Sequence, residues 1–363
     1  MSSIHARVSV AALAASTLVI AGCSTNPEAS PSPTDASPSP TSAEPATGTV
    51  TVVTHDSFAV PDDVLADFEA SSGLTLVFVA PGDAGSLVNQ LILTQEAPLG
   101  DVVYGVDNTF ASRAVDAGVF QEYVPEGLDP AVAEYALEPG TLDMLTPIDF
   151  SDVCLNYDVA YFEDSALEAP TSLDQIATAD YAPLTSVTNP ATSSPGLAFV
   201  AATVAEYGDD WATYWEEAAD NGIRVTASWS DTYFTDFSAP NYGGDYPIVL
   251  SYASSPPSEV IDGEPTTAAL LDTCFRQVEY AGVLQGAQNT AGAQAVVDWM
   301  SSDAFQETLP TNMYVYPVSP SAALPPEWVE HAQLADDPAT LSPSRIDAER
   351  EEWIDTWTSV VLD

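Results

Sequence analysis

The sequence predicts an α/β body of two lobes, each a mixed, mainly parallel sheet flanked by helices. Three observations carry this. Short β-branched runs alternate with amphipathic segments from residue 49 to about residue 116. A second set of the same kind begins near Leu184. Two stretches between the sets, Val153–Tyr157 and Cys274–Tyr280, read as strands that leave one set and return to it.

Thr49–Thr54 is short and β-branched, a strand ending at His55-Asp56-Ser57-Phe58. Pro61–Ser71 places Val64, Leu65 and Phe68 at helical spacing. Leu74–Ala80 is a second strand. It runs into Pro81-Gly82-Asp83-Ala84-Gly85-Ser86, a turn-rich loop expected to open a helix over Leu87–Thr94. Asp101–Val106 is the third strand, followed at Asp107-Asn108 by a helix from about Thr109. The second set reads as a strand at Leu184–Val187, a helix to Tyr207, a helix over Trp211–Ala219, and strands at Val225–Ala227 and Ile248–Tyr252. Ala291–Met300 and Asp303–Leu309 are expected helices. Ser342–Leu362, with Ile346, Trp353, Ile354, Trp357 and Val361 on one stripe, is a closing amphipathic helix.

The ends carry their own signals. Met1–Gly22 has Arg7, an apolar core from Val8 to Ile20, and the ending Ile20-Ala21-Gly22-Cys23. The core is too short for a span and reads as a secretory signal. Its small-small-Cys ending resembles the bacterial lipoprotein signal, which implies cleavage before Cys23, a lipid on its thiol, and a protein anchored to the outer face of the cell membrane. Ser24–Thr47 is Ser, Pro, Thr, Ala and Glu, an extended tether. About 315 residues remain, enough for two lobes. The expected division is signal 1–22, lipidated Cys and tether 23–47, first lobe 48–152, second lobe 153–275, and return to the first lobe with the closing helix over 276–363.

Charge excludes whole classes. Asp and Glu number 54 against 6 basic residues, for a formal −48, and all six are Arg. Nucleic-acid binding is not expected, because nothing neutralises phosphates. Schiff-base chemistry, a Walker-type loop and a Ser-Lys dyad all require the Lys that this chain lacks. Gly-x-Ser-x-Gly is absent, and after processing only His55 and His331 remain, without metal-ligand spacing. No enzyme, cofactor or metal site is expected, and a monomer is. Export permits a disulfide between Cys154 and Cys274; two buried thiols are the alternative.

Polar motifs cluster just past the strands, where open α/β sheets bind ligands. Asn189-Pro190-Ala191-Thr192-Ser193-Ser194-Pro195-Gly196 opens an apolar helix, where hydroxyls cap free N–H groups and the dipole favours an anion or a polar ligand head. Trp229-Ser230, Leu250-Ser251-Tyr252-Ala253-Ser254-Ser255-Pro256 and Leu309-Pro310-Thr311-Asn312-Met313-Tyr314-Val315-Tyr316-Pro317-Val318 follow. With Thr54–Phe58, Ala80–Leu87 and Val106–Asn108, this ordered set closely resembles the thiamine-binding proteins of bacterial thiamine ABC importers. The resemblance spans nearly the whole chain after the tether. It implies a type II periplasmic-binding-protein fold that closes about a hinge on thiamine, or in some members its phosphates, in the interlobe cleft. It also implies delivery to a membrane permease driven by an ATPase.

Residue by residue, the resemblance implies ligand contact by Asp83 and Ala84, by Ser193 and Ser194, by Trp229, by Tyr252, Ala253, Ser254 and Ser255, and by Tyr314, with His55 and Asp56 beside them. His55 stands where familiar members carry Tyr, and Ala191 where some carry Arg, which weakens the case for a phosphorylated ligand. The chemistry fits a flat cation: Trp229, Tyr252 and Tyr314 offer π faces, Asp83 a charge-assisted acceptor, and the serines a hold on the polar tail. A polyamine is the rival ligand and a hydrolase the rival class. An iron site would need adjacent tyrosines, and no Tyr-Tyr pair occurs.

Overall fold

The computed structural model describes residues 46–138 and 141–362. The expected signal, the lipidation site Cys23 and nearly all of the tether lie outside the described residues.

The chain builds a nine-stranded sheet. Strands β1 (Gly48–Val53), β2 (Leu74–Val79) and β3 (Val102–Asp107) run parallel in the order β2-β1-β3. Two helices of this first βα set, α1 (Asp62–Ser72) and α2 (Ala84–Leu93), are the ones the apolar spacing predicts. The short α3 (Ala111–Asp116) begins two residues after Thr109. Every residue of β3 is buried, as expected of a strand covered on both faces.

Two long strands then carry the sheet across the molecule. They are β4 (Thr146–Asp158) and β10 (Thr267–Val283), antiparallel neighbours. The C-terminal part of β10 pairs with β3, and the C-terminal part of β4 with β7 (Ile248–Tyr252). Beyond β7 lie β5 (Thr185–Thr188) and β6 (Arg224–Thr226), parallel to one another, with β7 parallel to β5. A small hairpin of β8 (Val260–Ile261) and β9 (Glu264–Pro265) precedes β10, and β11 (Tyr316–Pro317) pairs with β4. The fold is thus the expected α/β one, with two parallel sets on either side of the antiparallel pair.

Two local expectations are corrected. The crossing strands are much longer than the apolar cores Val153–Tyr157 and Cys274–Tyr280. Asp149, Ser151 and Asp152 break the apolar pattern, yet they are buried in β4 because side-chain partners satisfy them. Asp303–Leu309 is not one helix: Asp303–Gln306 and Leu309–Met313 are separate. Trp229–Asp231, in a stretch with no assigned element, continues into a π-helical turn, Thr232–Asp236.

Cys154 and Cys274 are joined as a disulfide between β4 and β10. The bridge stands where the register breaks between Leu270 and Phe275. One residue further, Arg276 pairs with the fully buried Asp152. The helix Ser194–Tyr207 is buried through its first eleven residues, which explains its apolar character on all sides. The closing helix Pro343–Val361 straddles the two sets. Trp357 packs edge-on against Trp215 (centroids 5.6 Å apart), while Arg350 donates to the carbonyl of Thr109 and to Ser112 Oγ, each at 3.3 Å.

Candidate functional site

A cavity of about 520 Å³ opens at the carboxyl ends of β1, β6 and β7. Most of its walls come from turns that follow strands or from the end of a helix, and two residues come from strands. After β1 come His55, Asp56, Ser57 and Ala59; after β6, Trp229, Ser230 and Phe234. Tyr252 closes β7, Glu279 projects from β10, and Thr311–Tyr314 end the helix Leu309–Met313.

Three aromatic rings meet here. Trp229 lies 5.9 Å from both Tyr252 and Tyr314, with tilted planes, and its outer face stacks on Tyr233 at 5.0 Å. The indole Nε1–H donates to Ser251 Oγ at 3.0 Å, which fixes the ring. Tyr314 has φ 58°, a left-handed conformation that costs a non-glycine residue roughly 1–2 kcal/mol. That strain is held by Ser254, whose hydroxyl donates to the Tyr314 carbonyl at 2.6 Å and bonds Ser151 at 2.6 Å.

The acidic wall is built from buried groups. Glu279 Oε1 lies 3.5 Å from His55 Nε2, and both side chains are nearly closed to solvent. The Tyr104 hydroxyl donates to Asp149 Oδ2 at 2.6 Å and reaches Glu279 Oε2 at 3.5 Å. Burial, and then the charge of Glu279, push Asp149 well above the ordinary carboxylate range. Burial and then Asp83 raise the pKa of Asp56. For His55, burial favours the neutral ring, but Glu279 and then Asp83 and Asp56 outweigh it and leave the pKa above 6.5.

Five of the twelve sequence-predicted residues line the cavity: His55, Asp56, Trp229, Tyr252 and Tyr314. The other seven stand behind it. Asp83 is buried; its Oδ1 accepts from the Ala84 amide at 2.6 Å, capping α2, and its Oδ2 accepts from the Trp229 amide at 3.0 Å. It therefore ties the first βα set to the turn that carries Trp229. Ser194 Oγ accepts from Gln277 at 2.9 Å, while the buried Ser193 hydroxyl faces Asp83 and favours its charged form. Ala253, Ser254 and Ser255 are fully buried, and Ser255 Oγ bonds both Ser251 and the Tyr252 amide.

Glu279, Phe234 and the Thr311–Met313 turn were not legible as site residues. Glu279 had one signal, a lone acid in the strand-like run Phe275–Val283. Among 54 acidic residues that signal does not stand out.

The sequence model of the bacterial extracellular solute-binding proteins matches residues 97–336. The chain is similar to the thiamine-binding periplasmic protein of Escherichia coli, 29% identical over 328 residues, which cover 87% of this chain and 94% of that one. It is also similar to the thiamine-binding periplasmic protein of Brucella suis, 25% identical over 86% of this chain and 92% of the relative. Among solved structures, a periplasmic thiamin binding protein superposes with a TM-score of 0.73 at 28% identity, covering 86% of this chain and 96% of that one.

Proposed function

From the premise that this chain belongs to the bacterial extracellular solute-binding proteins, we propose that it captures thiamine outside the cell membrane and delivers it to an ABC permease and its ATPase. The single observation that carries this is the convergence of Trp229, Tyr252 and Tyr314 with Asp56 and Glu279 on one cavity. Thiamine is a flat, permanently charged heteroaromatic. Stacked faces attract such a cation by about 0.5–2 kcal/mol each once water is excluded. Carboxylates beside them offset its charge. The similarity to two thiamine-binding relatives over most of their length supports the same ligand.

In this reading Trp229, Tyr252, Tyr314, His55 and Asp56 touch the ligand, joined by Glu279. Asp83, Ala84, Ser193, Ser194, Ala253, Ser254 and Ser255 hold those walls in place. Residues 48–152 with 276–363 form one lobe and 153–275 the other, turning about β4 and β10. Cys23 carries the lipid, and the protein acts as a monomer. It binds without turnover.

Isothermal titration against thiamine, its mono- and diphosphate, spermidine and Fe(III) tests the reading. Stoichiometric binding of thiamine is expected, with no heat from Fe(III). Tighter binding of spermidine would overturn it. Trp229→Ala is expected to weaken thiamine binding by about 1–3 kcal/mol, roughly tenfold to a hundredfold in Kd. A variant that binds like wild type would move the site elsewhere.

A further inference from the structure

His55 is placed with care in this cavity. Its ring packs close against Gly105 in β3, where any Cβ would overlap the imidazole Cδ2; Gly105 also has φ +91°. Nδ1 is 2.9 Å from Ser57 Oγ. Nε2 lies 3.5 Å from Glu279 Oε1, within ion-pair distance, and both residues line the cavity.

The groups around the ring are acidic on every side. Glu279 faces it from β10, Asp83 from the turn before α2, and Asp56 from its own loop. Tyr104 of β3 packs against the ring with centroids 5.6 Å apart, and its hydroxyl is committed to Asp149 of β4. Burial works against the charged ring, but these carboxylates outweigh it, raise the His55 pKa and favour the imidazolium beside Glu279. Before a ligand enters, the cavity therefore holds its own cation, the imidazolium paired with Glu279. A ligand cation brings a second positive charge to the same carboxylate in a space with little water, where like charges repel strongly.

We propose that His55 and Glu279 make the cavity a proton-exchanging site, in which an entering organic cation takes Glu279 from the His55 imidazolium and the Nε2 proton leaves to solvent. The exchange balances: one bound cation replaces one bound proton. The freed Nε2 lone pair then accepts a hydrogen bond from an N–H of the ligand, which selects a cation bearing an amino group. This rests on the reading of the cavity as an organic-cation site. Affinity is linked to pH in one direction only. Below the His55 pKa, each unit of rising pH tightens binding by about tenfold; above it, affinity is constant.

The test is titration calorimetry of the full chain with thiamine from about pH 5.5 to 8.5, in two buffers of different ionisation enthalpy, for wild type and His55→Gln. Wild type is expected to tighten about tenfold per pH unit at the acid end and to release about one proton per thiamine there. His55→Gln is expected to bind with a flat profile and no proton release. Should that variant not fold, the His55 ring in labelled wild type, followed by NMR, gives the same answer: saturating thiamine must lower its pKa. Binding with a flat wild-type profile, an unmoved His55 pKa, or a slope that survives in His55→Gln overturns the inference and leaves the proposed function standing. No thiamine binding at any pH overturns both.

Discussion

Asp107 illustrates how one buried acid couples stability to pH. It sits at the end of β3, wholly buried, and burial pushes its pKa to about 7 against the bonds from Thr109 and Gln277. An exposed aspartate titrates near 3.8. Between about pH 4 and 7 the folded protein therefore holds a proton that the unfolded chain has lost. The stability from this group is fully present below pH 4 and fades as pH rises to 7, by on the order of 4 kcal/mol. Asp107→Asn mimics the protonated acid. Calorimetric scans from about pH 4.5 to 7.5 should show a smaller fall in Tm than wild type, and an equal fall would assign the pH dependence to other groups. The same residue scale explains which site residues were legible. Trp229, Tyr252 and Tyr314 stand out because the family resemblance assigns them ligand contact within the runs Trp229-Ser230, Leu250–Pro256 and Leu309–Val318. Asp83 stands out too, but the Asp side chain that caps α2 also accepts from Trp229, and sequence cannot separate a scaffold acceptor from a ligand acceptor.

The element that decides most is the pair β4 and β10. Its two ends are bound by different forces: ladder hydrogen bonds along both strands, and the Cys154–Cys274 bridge where the ladder breaks. The bridge closes a loop of 120 residues. In the chain-entropy account that confers about 4–5 kcal/mol. The Cys154→Ser, Cys274→Ser double variant is expected to lose stability of this order in urea unfolding, and a loss below about 1 kcal/mol would mean the unfolded chain is already restrained there. The long strands were only half legible. Val153–Tyr157 and Cys274–Tyr280 read as strands, Gln277 included, whereas Asp149, Ser151 and Asp152 lay outside the expected strand. Those polar residues are tolerated because Tyr104, Ser254, Arg276 and Asp107 meet them from distant segments. The π-helical turn after Trp229 was illegible for a similar reason. Its form is set by packing, with Tyr233 stacked under Trp229 and bonded to Glu259.

Over the whole molecule the formal charge is −48, and each of the five arginines among the described residues lies 3.8 Å or less from a carboxylate. The excess negative charge is thus distributed over surface without basic partners, and self-repulsion opposes the compact state. Raising salt from about 0.02 to 0.5 M shortens the screening length to a few ångströms and should raise Tm; a flat or falling Tm would show that the carboxylates are already spaced too far apart to matter. By itself, the sequence determined the α/β class, the order of both βα sets and the absence of lysine chemistry. These follow from local rules, since side-chain periodicity, turn residues and charge are written in neighbouring positions. Only the tertiary structure decided that Asp83 faces a backbone amide instead of the cavity, that Glu279 meets His55, and that the closing helix spans both sets. Those contacts join residues far apart in the chain, and which polar group pairs with which is settled by burial and packing, which local sequence does not record.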